Sequence, residues 1–263
     1  MFFKYMLKKH IIGVVGGVGP YAGLDLVKKI FDQTTASIDQ EHLPVILMSL
    51  PDESEDRTKF LVGTSAANPA HSIVEILQKL ETVGATVAGI PCNTAHAPRI
   101  FDVVRQGIEQ QGLSIRLLHM IDETVLFVQQ NFPTLKNIGL LSTTGTAQSG
   151  IYQRSFERGG VRIILPSDEV QQKKVHSAIY DSGNGIKAFS NPVTDQARQS
   201  LLEAIDWLRN RGAEAMILGC TEIPLAVPEK LIDTMPLIDP TMILSRSLIS
   251  LTYPSKLKQF QPI

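Results

Sequence analysis

The chain has 263 residues, enough for one large domain or two of ordinary size. Its 43% hydrophobic and 19% charged residues and its net charge of -1 describe a globular chain, and they predict no general affinity for nucleic acid or an anionic membrane surface. No apolar run reaches the roughly 18 residues that a membrane-spanning helix needs. In residues 1–12 lysines precede an apolar stretch, faintly like a signal peptide, but the stretch is short and lacks a small-residue cleavage site. The expectation is a soluble, cytoplasmic protein.

Apolar strand-like runs alternate with amphipathic helical ones, which argues for parallel α/β sheets. A strand at 10–15 leads into the turn Gly16-Gly17-Val18-Gly19-Pro20 and a helix at about 20–37. Pro20 suits a first helical position, and Leu24, Val27 and Phe31 share an apolar face. A second strand at 44–50 ends in the polar loop 51–58. A helix with Ile73, Leu77 and Leu80 on its buried side precedes a strand at 86–91, which carries Cys92 at its carboxyl end. Beyond a boundary near 117–124 the theme repeats. A strand at 137–142, a helix near 148–158 and a strand at 161–165 come first. Helical stretches at 169–180 and 194–211 follow, then a strand at 214–219 delivering Cys220. Residues 183–192 are rich in glycine and asparagine and read as a loop. The predicted organisation is an N-terminal half 1–117, a C-terminal half 118–235, and a segment 236–263 whose strand and helix pack back on the first half.

The repetition extends to the residues themselves. Cys92 and Cys220 are the only cysteines, and each comes eight residues after the glycine of a Gly-Ala pair, Gly84-Ala85 and Gly212-Ala213, that opens an apolar run. Ile12-Gly13-Val14-Val15 likewise aligns with Ile138-Gly139-Leu140-Leu141. The offsets, 128 and 126 residues, are far too long for a solenoid and fit two similar α/β halves. Ligands of open parallel sheets bind beyond the carboxyl ends of the strands. Both cysteines, the glycine turn, the 51–58 loop and the 142–146 turn lie at such ends. The predicted fold is therefore two pseudo-symmetric parallel-sheet α/β domains with the active site in the cleft between them.

A thiol on each side of one cleft suits moving a proton from one face of a carbon to the other. Asn93 and Thr94 follow Cys92, and Thr221 and Glu222 follow Cys220. A helix starting after each cysteine would present free N–H groups, attract a carboxylate and favour thiolate over a thiol that otherwise ionises near pH 8.5. Asn93 and Thr94 add donors to such a site, or simply cap a helix. Arg57 makes either a surface ion pair with Glu53 or Asp56 or a bidentate clamp on a substrate carboxylate. Lys187 is an ordinary lysine distinguished only by its company. The turn 16–20 matches neither the G-x-G-x-x-G fingerprint nor a phosphate loop, and reads as a close backbone approach to a small substrate. His96, four residues after Cys92, leaves a Cys–His hydrolase conceivable. Two cysteines in separate halves make a poor zinc set, and His96, His119 and His176 read as packed or solvated. No C-x-x-C supports thiol redox chemistry. A ligand-binding module of this fold without turnover is the alternative from another class.

Four stretches resemble the aspartate/glutamate racemase family, specifically its aspartate racemase branch. They are Gly16-Gly17-Val18-Gly19-Pro20, Pro91-Cys92-Asn93-Thr94-Ala95-His96, Leu140-Leu141-Ser142-Thr143-Thr144-Gly145-Thr146 and Leu218-Gly219-Cys220-Thr221-Glu222-Ile223-Pro224. The resemblance implies a two-domain enzyme, commonly a homodimer, that interconverts amino-acid enantiomers without pyridoxal phosphate or metal, hence without a cofactor. It implies Cys92 and Cys220 as the two bases. Asn93, Thr94 and the amide of Ala95 would hold the α-carboxylate, with Thr221 helping from the other half. Arg57 and Lys187 would hold the side-chain carboxylate of a small dicarboxylic amino acid, aspartate first, with glutamate or a broader range as alternatives. Two departures bear on substrate. Lys187-Ala188-Phe189 stands where the family pattern is Lys-Ala-Gly, and Gly19-Pro20-Tyr21-Ala22-Gly23 where aspartate racemases have Gly-Pro-x-Ala-Thr. Phe189 is expected to narrow or reshape the side-chain pocket.

Overall fold

Short apolar runs punctuated by glycine build the strands, and their pairing repeats in the two halves. In the computed structural model, which describes residues 10–261, β1 (Ile12–Gly16), β2 (Val45–Ser49), β3 (Val87–Gly89) and β4 (Arg116–Leu117) form a parallel sheet ordered β2-β1-β3-β4. The second sheet contains β5 (Asn137–Ser142), β6 (Arg162–Ile164), β7 (Ala215–Gly219), β8 (Leu231–Ile232) and β9 (Met235–Ile238). Its order is β6-β5-β7-β9-β8, parallel except for the antiparallel edge strand β8. Ile12 stands beside Val87 in the first sheet and Ile138 beside Ala215 in the second. The sequence offsets of 126 and 128 are thus those of the two central strands, β1 to β5 and β3 to β7.

Helices cover the sheets. The first half contributes α1 (Pro20–Asp32), α2 (Arg57–Leu61), α3 (Ala70–Thr82) and α4 (Pro98–Gln110), and α5 (Met120–Asn131) follows β4. After β5 come α6 (Thr144–Ser149) and α7 (Ile151–Glu157). Then α8 (Asp168–Val170) runs through a π-helical stretch, Gln171–His176, into α9 (Ser177–Tyr180). The last three are α10 (Asp195–Arg209), α11 (Ile223–Ala226) and α12 (Pro240–Thr252). Local chemistry explains their starts. The Thr194 hydroxyl caps α10 by accepting from the Ala197 N–H, and Asp195 complements the same end of the helix. α3 buries Ile73, Leu77 and Leu80 as its spacing predicts. No helix among the described residues is long and apolar enough to cross a membrane.

Several expectations are corrected. α1 ends at Asp32, and its buried stripe is Ala22, Gly23, Leu26 and Ile30, whereas Leu24 is 54% exposed and Phe31 37%. The helix carries two apolar stripes, and the one with small residues wins because it can approach the sheet closely. A methyl added at Gly23 would lie 3.0 Å from Leu47 Cδ1. The predicted helix at 148–158 is two helices, broken at Gly150 with φ of 64°. The segment 236–263 is divided. β9 joins the second sheet beside β7, and only α12 crosses to the first half, where Leu244 and Leu248 pack with Val14, Leu26 and Val87. Of the signal-like start at 1–12, residues 1–9 lie outside the described residues and Ile12 opens β1.

The glycine turn after β1 is sterically required. Gly17 has φ of +82°, and a Cβ there would lie 2.7 Å from the backbone N and C of Leu50. Gly17→Ala combines a left-handed backbone with a clash against main chain. It is expected to cost about 2 kcal/mol or more, read as a lower urea midpoint.

Candidate active site

β3 and β7 deliver one cysteine each to the carboxyl edges of the two sheets, and these edges face one another. A narrow cavity of about 10 Å³ is lined by Val18, Arg57, Thr58, Cys92, Asn93 and Thr94 from the first half. Thr143, Tyr180, Lys187, Cys220, Thr221 and Glu222 line it from the second. Seven of the eight predicted site residues therefore meet there, and Ala95 is the exception. The cavity is nearly closed: Cys92 is 7% exposed and Cys220 4%. A larger groove, lined by Phe101, His119 and Arg154 among others, holds neither cysteine.

Hydrogen bonds tie the halves together around this cavity. The Thr94 hydroxyl lies 2.9 Å from both Thr143 Oγ1 and Thr146 Oγ1, and Thr58 Oγ1 is 2.9 Å from the Tyr180 hydroxyl. Tyr152, buried on α7, donates to Asn93 Oδ1 at 2.5 Å. This bond orients the amide so that Asn93 Nδ2 is left as a buried donor with no partner among the described residues, and Arg57 Nε is another. Such orphaned donors are costly, and both belong to cavity-lining residues, so an anionic ligand would find them ready.

The surroundings of the two thiols differ in charge. Arg57 starts α2, and its two terminal nitrogens donate to the carbonyls of Glu55 and Val18. Burial opposes its charge, but Cys92 and Asp56 outweigh that and hold the guanidinium above its usual pKa. Across the cavity, Cys220 Sγ lies 3.0 Å from Glu222 Oε2, and Lys187 Nζ donates to Glu222 Oε1 at 2.8 Å. Burial opposes the Glu222 charge too, yet Lys187 and the Cys220 donor hold its carboxyl down to about 2. Burial pushes the Cys220 thiol well up, and the neighbouring carboxylate pushes it further.

Glu222, noted in the sequence as following Cys220, carries no assigned role there. Its signal is an acidic side chain inside the otherwise apolar run that continues into α11, and it is 5% exposed. Nothing local marks Tyr152 or Tyr180.

Four finer expectations change. No long helix starts at either cysteine: a single 3-10 turn, Asn93–His96, follows Cys92, and the four-residue α11 follows Cys220. Pro98 is the reason on the first side, because it holds Ala97 extended and delays α4. The Ala95 amide donates to the Cys92 carbonyl at 3.1 Å and is not a free donor to the cavity. Phe189 is 43% exposed and lies outside the cavity lining. Gly19 brings its backbone close to Glu222, where a Cβ would lie 2.6 Å from Oε1, rather than opening onto the cavity. His96 faces away from the sulfur. Its Nδ1 is 2.9 Å from the Cys92 carbonyl oxygen, and burial, with His119 beside it, holds its pKa down to about 3. The neutral ring therefore donates to backbone and forms no nucleophile pair with Cys92 Sγ.

Fold and site together define a two-half α/β protein that brings one cysteine from each half to a buried, charged cavity. Residues 15–248 match the family model of Asp/Glu/hydantoin racemases, and the chain belongs to that family. It is 28% identical over 246 residues to the broad specificity amino-acid racemase RacX of Bacillus subtilis, covering 91% of this chain and 97% of that one. The aspartate racemase of Picrophilus torridus superposes with a TM-score of 0.77 at 28% identity, covering 95% of this chain and 96% of the other. The glutamate racemase of Francisella tularensis, solved with D-glutamate, shares the fold, with a TM-score of 0.65 at 19% identity over 98% of this chain and 86% of that one.

Proposed function

We propose that this protein is a cofactor-independent racemase of a small dicarboxylic amino acid, aspartate first, working by two-base proton transfer between Cys92 and Cys220. The observation that carries the reading is the convergence of the chain's two cysteines, one from each half, on one nearly closed cavity. One sulfur, as thiolate, takes the Cα proton, so that an S–H bond forms as the C–H bond breaks. The electron pair passes into the α-carboxylate, and the other thiol gives its proton to the opposite face of Cα. Each turnover leaves the two sulfurs with their protonation exchanged.

The difficulty of this chemistry is the charge on the α-carboxylate, which no cofactor delocalises. Fixed donors in a water-poor cavity meet that need, because they act at low dielectric and are already oriented. We assign that role to Asn93 Nδ2, whose proton has no protein partner among the described residues; Thr221 lines the same wall with its hydroxyl turned to Glu222, and Thr94 braces it through Thr143 and Thr146. Arg57 and Lys187 provide the cations for a second carboxylate. A broader amino-acid range is the second reading. It is favoured by Glu222, which pairs with Lys187, whereas Arg57 forms no salt bridge among the described residues.

The test is incubation with L-aspartate in deuterium oxide, following Cα exchange and D-aspartate formation together. D-aspartate carrying deuterium at Cα is the expected result. Glutamate and neutral amino acids run alongside separate the narrow from the broad reading. An enzyme inert toward all of them would leave binding without turnover.

A further inference from the structure

Glu222 touches both a thiol and an ammonium, one with each oxygen. Oε2 lies 3.0 Å from Cys220 Sγ and 3.2 Å from Thr221 Oγ1, and Oε1 lies 2.8 Å from Lys187 Nζ. The carboxylate has little freedom to turn away. It is buried, and the missing side chain at Gly19 makes the space that Oε1 occupies. An ionised carboxylate only accepts, so the proton on the Sγ–Oε2 line belongs to sulfur. The other thiol has the opposite neighbour: Cys92 shares the cavity with the guanidinium of Arg57, which only donates.

We infer that Glu222 is a positioning residue that keeps the proton on Cys220, so that the resting enzyme presents Cys220 as the acid and Cys92 as the base. This inference rests on the two-base reading above. After Cys92 has taken the Cα proton and Cys220 has given its own, a Cys220 thiolate is left facing the Glu222 carboxylate at the same 3.0 Å contact. Two anions at that distance in a buried site repel, and the form with its proton on Cys92 lies higher.

The other titratable and charged groups facing Cys220 and Glu222 are Lys187, Arg57, Cys92, Tyr180 and Tyr152. Burial holds both tyrosines protonated, well above their usual range. Lys187 and Arg57 oppose Glu222, but the sulfur's own hydrogen bond is to the carboxylate. Burial and Glu222 push Cys220 the same way, so a test must remove the charge and keep the burial.

The kinetic consequence is specific. A racemisation has an equilibrium constant of one, so kcat/KM is equal in the two directions for any variant. The asymmetry between resting forms must appear in kcat and KM separately. The enantiomer that needs a Cys220 thiolate meets the rarer form, and it shows the larger KM and, by the same factor, the larger kcat.

The deciding experiment uses the full chain with Cys92→Ala, in which Cys220 is the only thiol. The thiolate's ultraviolet absorbance is followed against pH, which requires no reagent to enter the cavity. The expected midpoint lies above the roughly 8.5 of a free cysteine. Adding Glu222→Gln is expected to lower it by a unit or more, about tenfold more thiolate at a given pH below both midpoints. Glu222→Asp, which keeps the charge, falls less. In the enzyme with both cysteines, Glu222→Gln shrinks the difference in kcat between enantiomers. A midpoint at or below about 8.5 in Cys92→Ala overturns the inference even if the glutamine variant does not fold. An unchanged midpoint in a folded Gln variant also overturns it. The titration needs no turnover, so the two readings fail separately. A high midpoint without racemisation sinks the two-base mechanism, and an ordinary midpoint with racemisation sinks only the role of Glu222.

Discussion

Cys92→Ala and Cys220→Ala are each expected to abolish racemisation, by roughly 10²–10⁴-fold or more, while keeping opposite halves of the exchange reaction. With Cys220 removed, Cys92 can still take and return a proton on its own face. That variant should wash the Cα hydrogen of one enantiomer into solvent without producing the other. Cys92→Ala should do the same with the mirror-image substrate. Both side chains sit in apolar clusters, and losing one sulfur leaves a small void costing about 1 kcal/mol, so the variants should stay folded. The measurement is proton NMR of each aspartate enantiomer with each variant in deuterium oxide. Loss of the same enantiomer's signal in both variants would mean that the sulfurs do not flank Cα. Full activity in either variant would mean that one thiol suffices.

Lys187→Met is expected to destabilise the protein by about 2–3 kcal/mol at neutral pH, and to do so in a pH-dependent way. Breaking a buried ion pair from one side commonly costs 3–5 kcal/mol; the Lys187 side chain is 27% exposed, which reduces the figure. The sign follows from Glu222. In the native protein its carboxyl is held down to about 2 from an ordinary 4.5, so its contribution is fully present above pH 4.5 and lost as pH falls through about 2. Without Lys187 the largest effect opposing burial is gone, and the native carboxyl rises. The deficit is then largest at pH 8 and shrinks as acid protonates Glu222, whereas the native protein gains nothing from this group over that range. Urea unfolding at pH 5 and pH 8 checks this. A deficit of equal size at both would show that Glu222 is not the group left unpaired.

Much of the fold was legible because its signals are local and occur twice. The apolar runs opened by Gly84-Ala85 and Gly212-Ala213 sit in matching sequence frames, and a period of 126–128 residues is readable without knowing any contact. The same frames placed Cys92, Asn93, Cys220 and Thr221 at strand ends, where parallel sheets bind ligands. α1 shows where local reading stops. It offers two apolar stripes of helical spacing, and only the fit of Ala22 and Gly23 against the sheet decides between them. The end of the chain was half legible for a related reason: β9 and α12 are adjacent in sequence but belong to different halves.

The sequence by itself determined the duplication, the strand ends and the two cysteines with the Asn93, Thr94 and Thr221 that follow them, because period, burial and turn chemistry are written in short stretches. Tertiary structure alone decided the electrical state of the cavity. Glu222 meets Lys187 from 35 residues away and fits only because Gly19, in the other half, has no side chain. Asn93 is oriented by Tyr152 across a separation of 59 residues, and Arg57 is held by the carbonyl of Val18, 39 residues distant. Protonation depends on distances between charges and on exclusion of water, and neither quantity has a local signature in a chain.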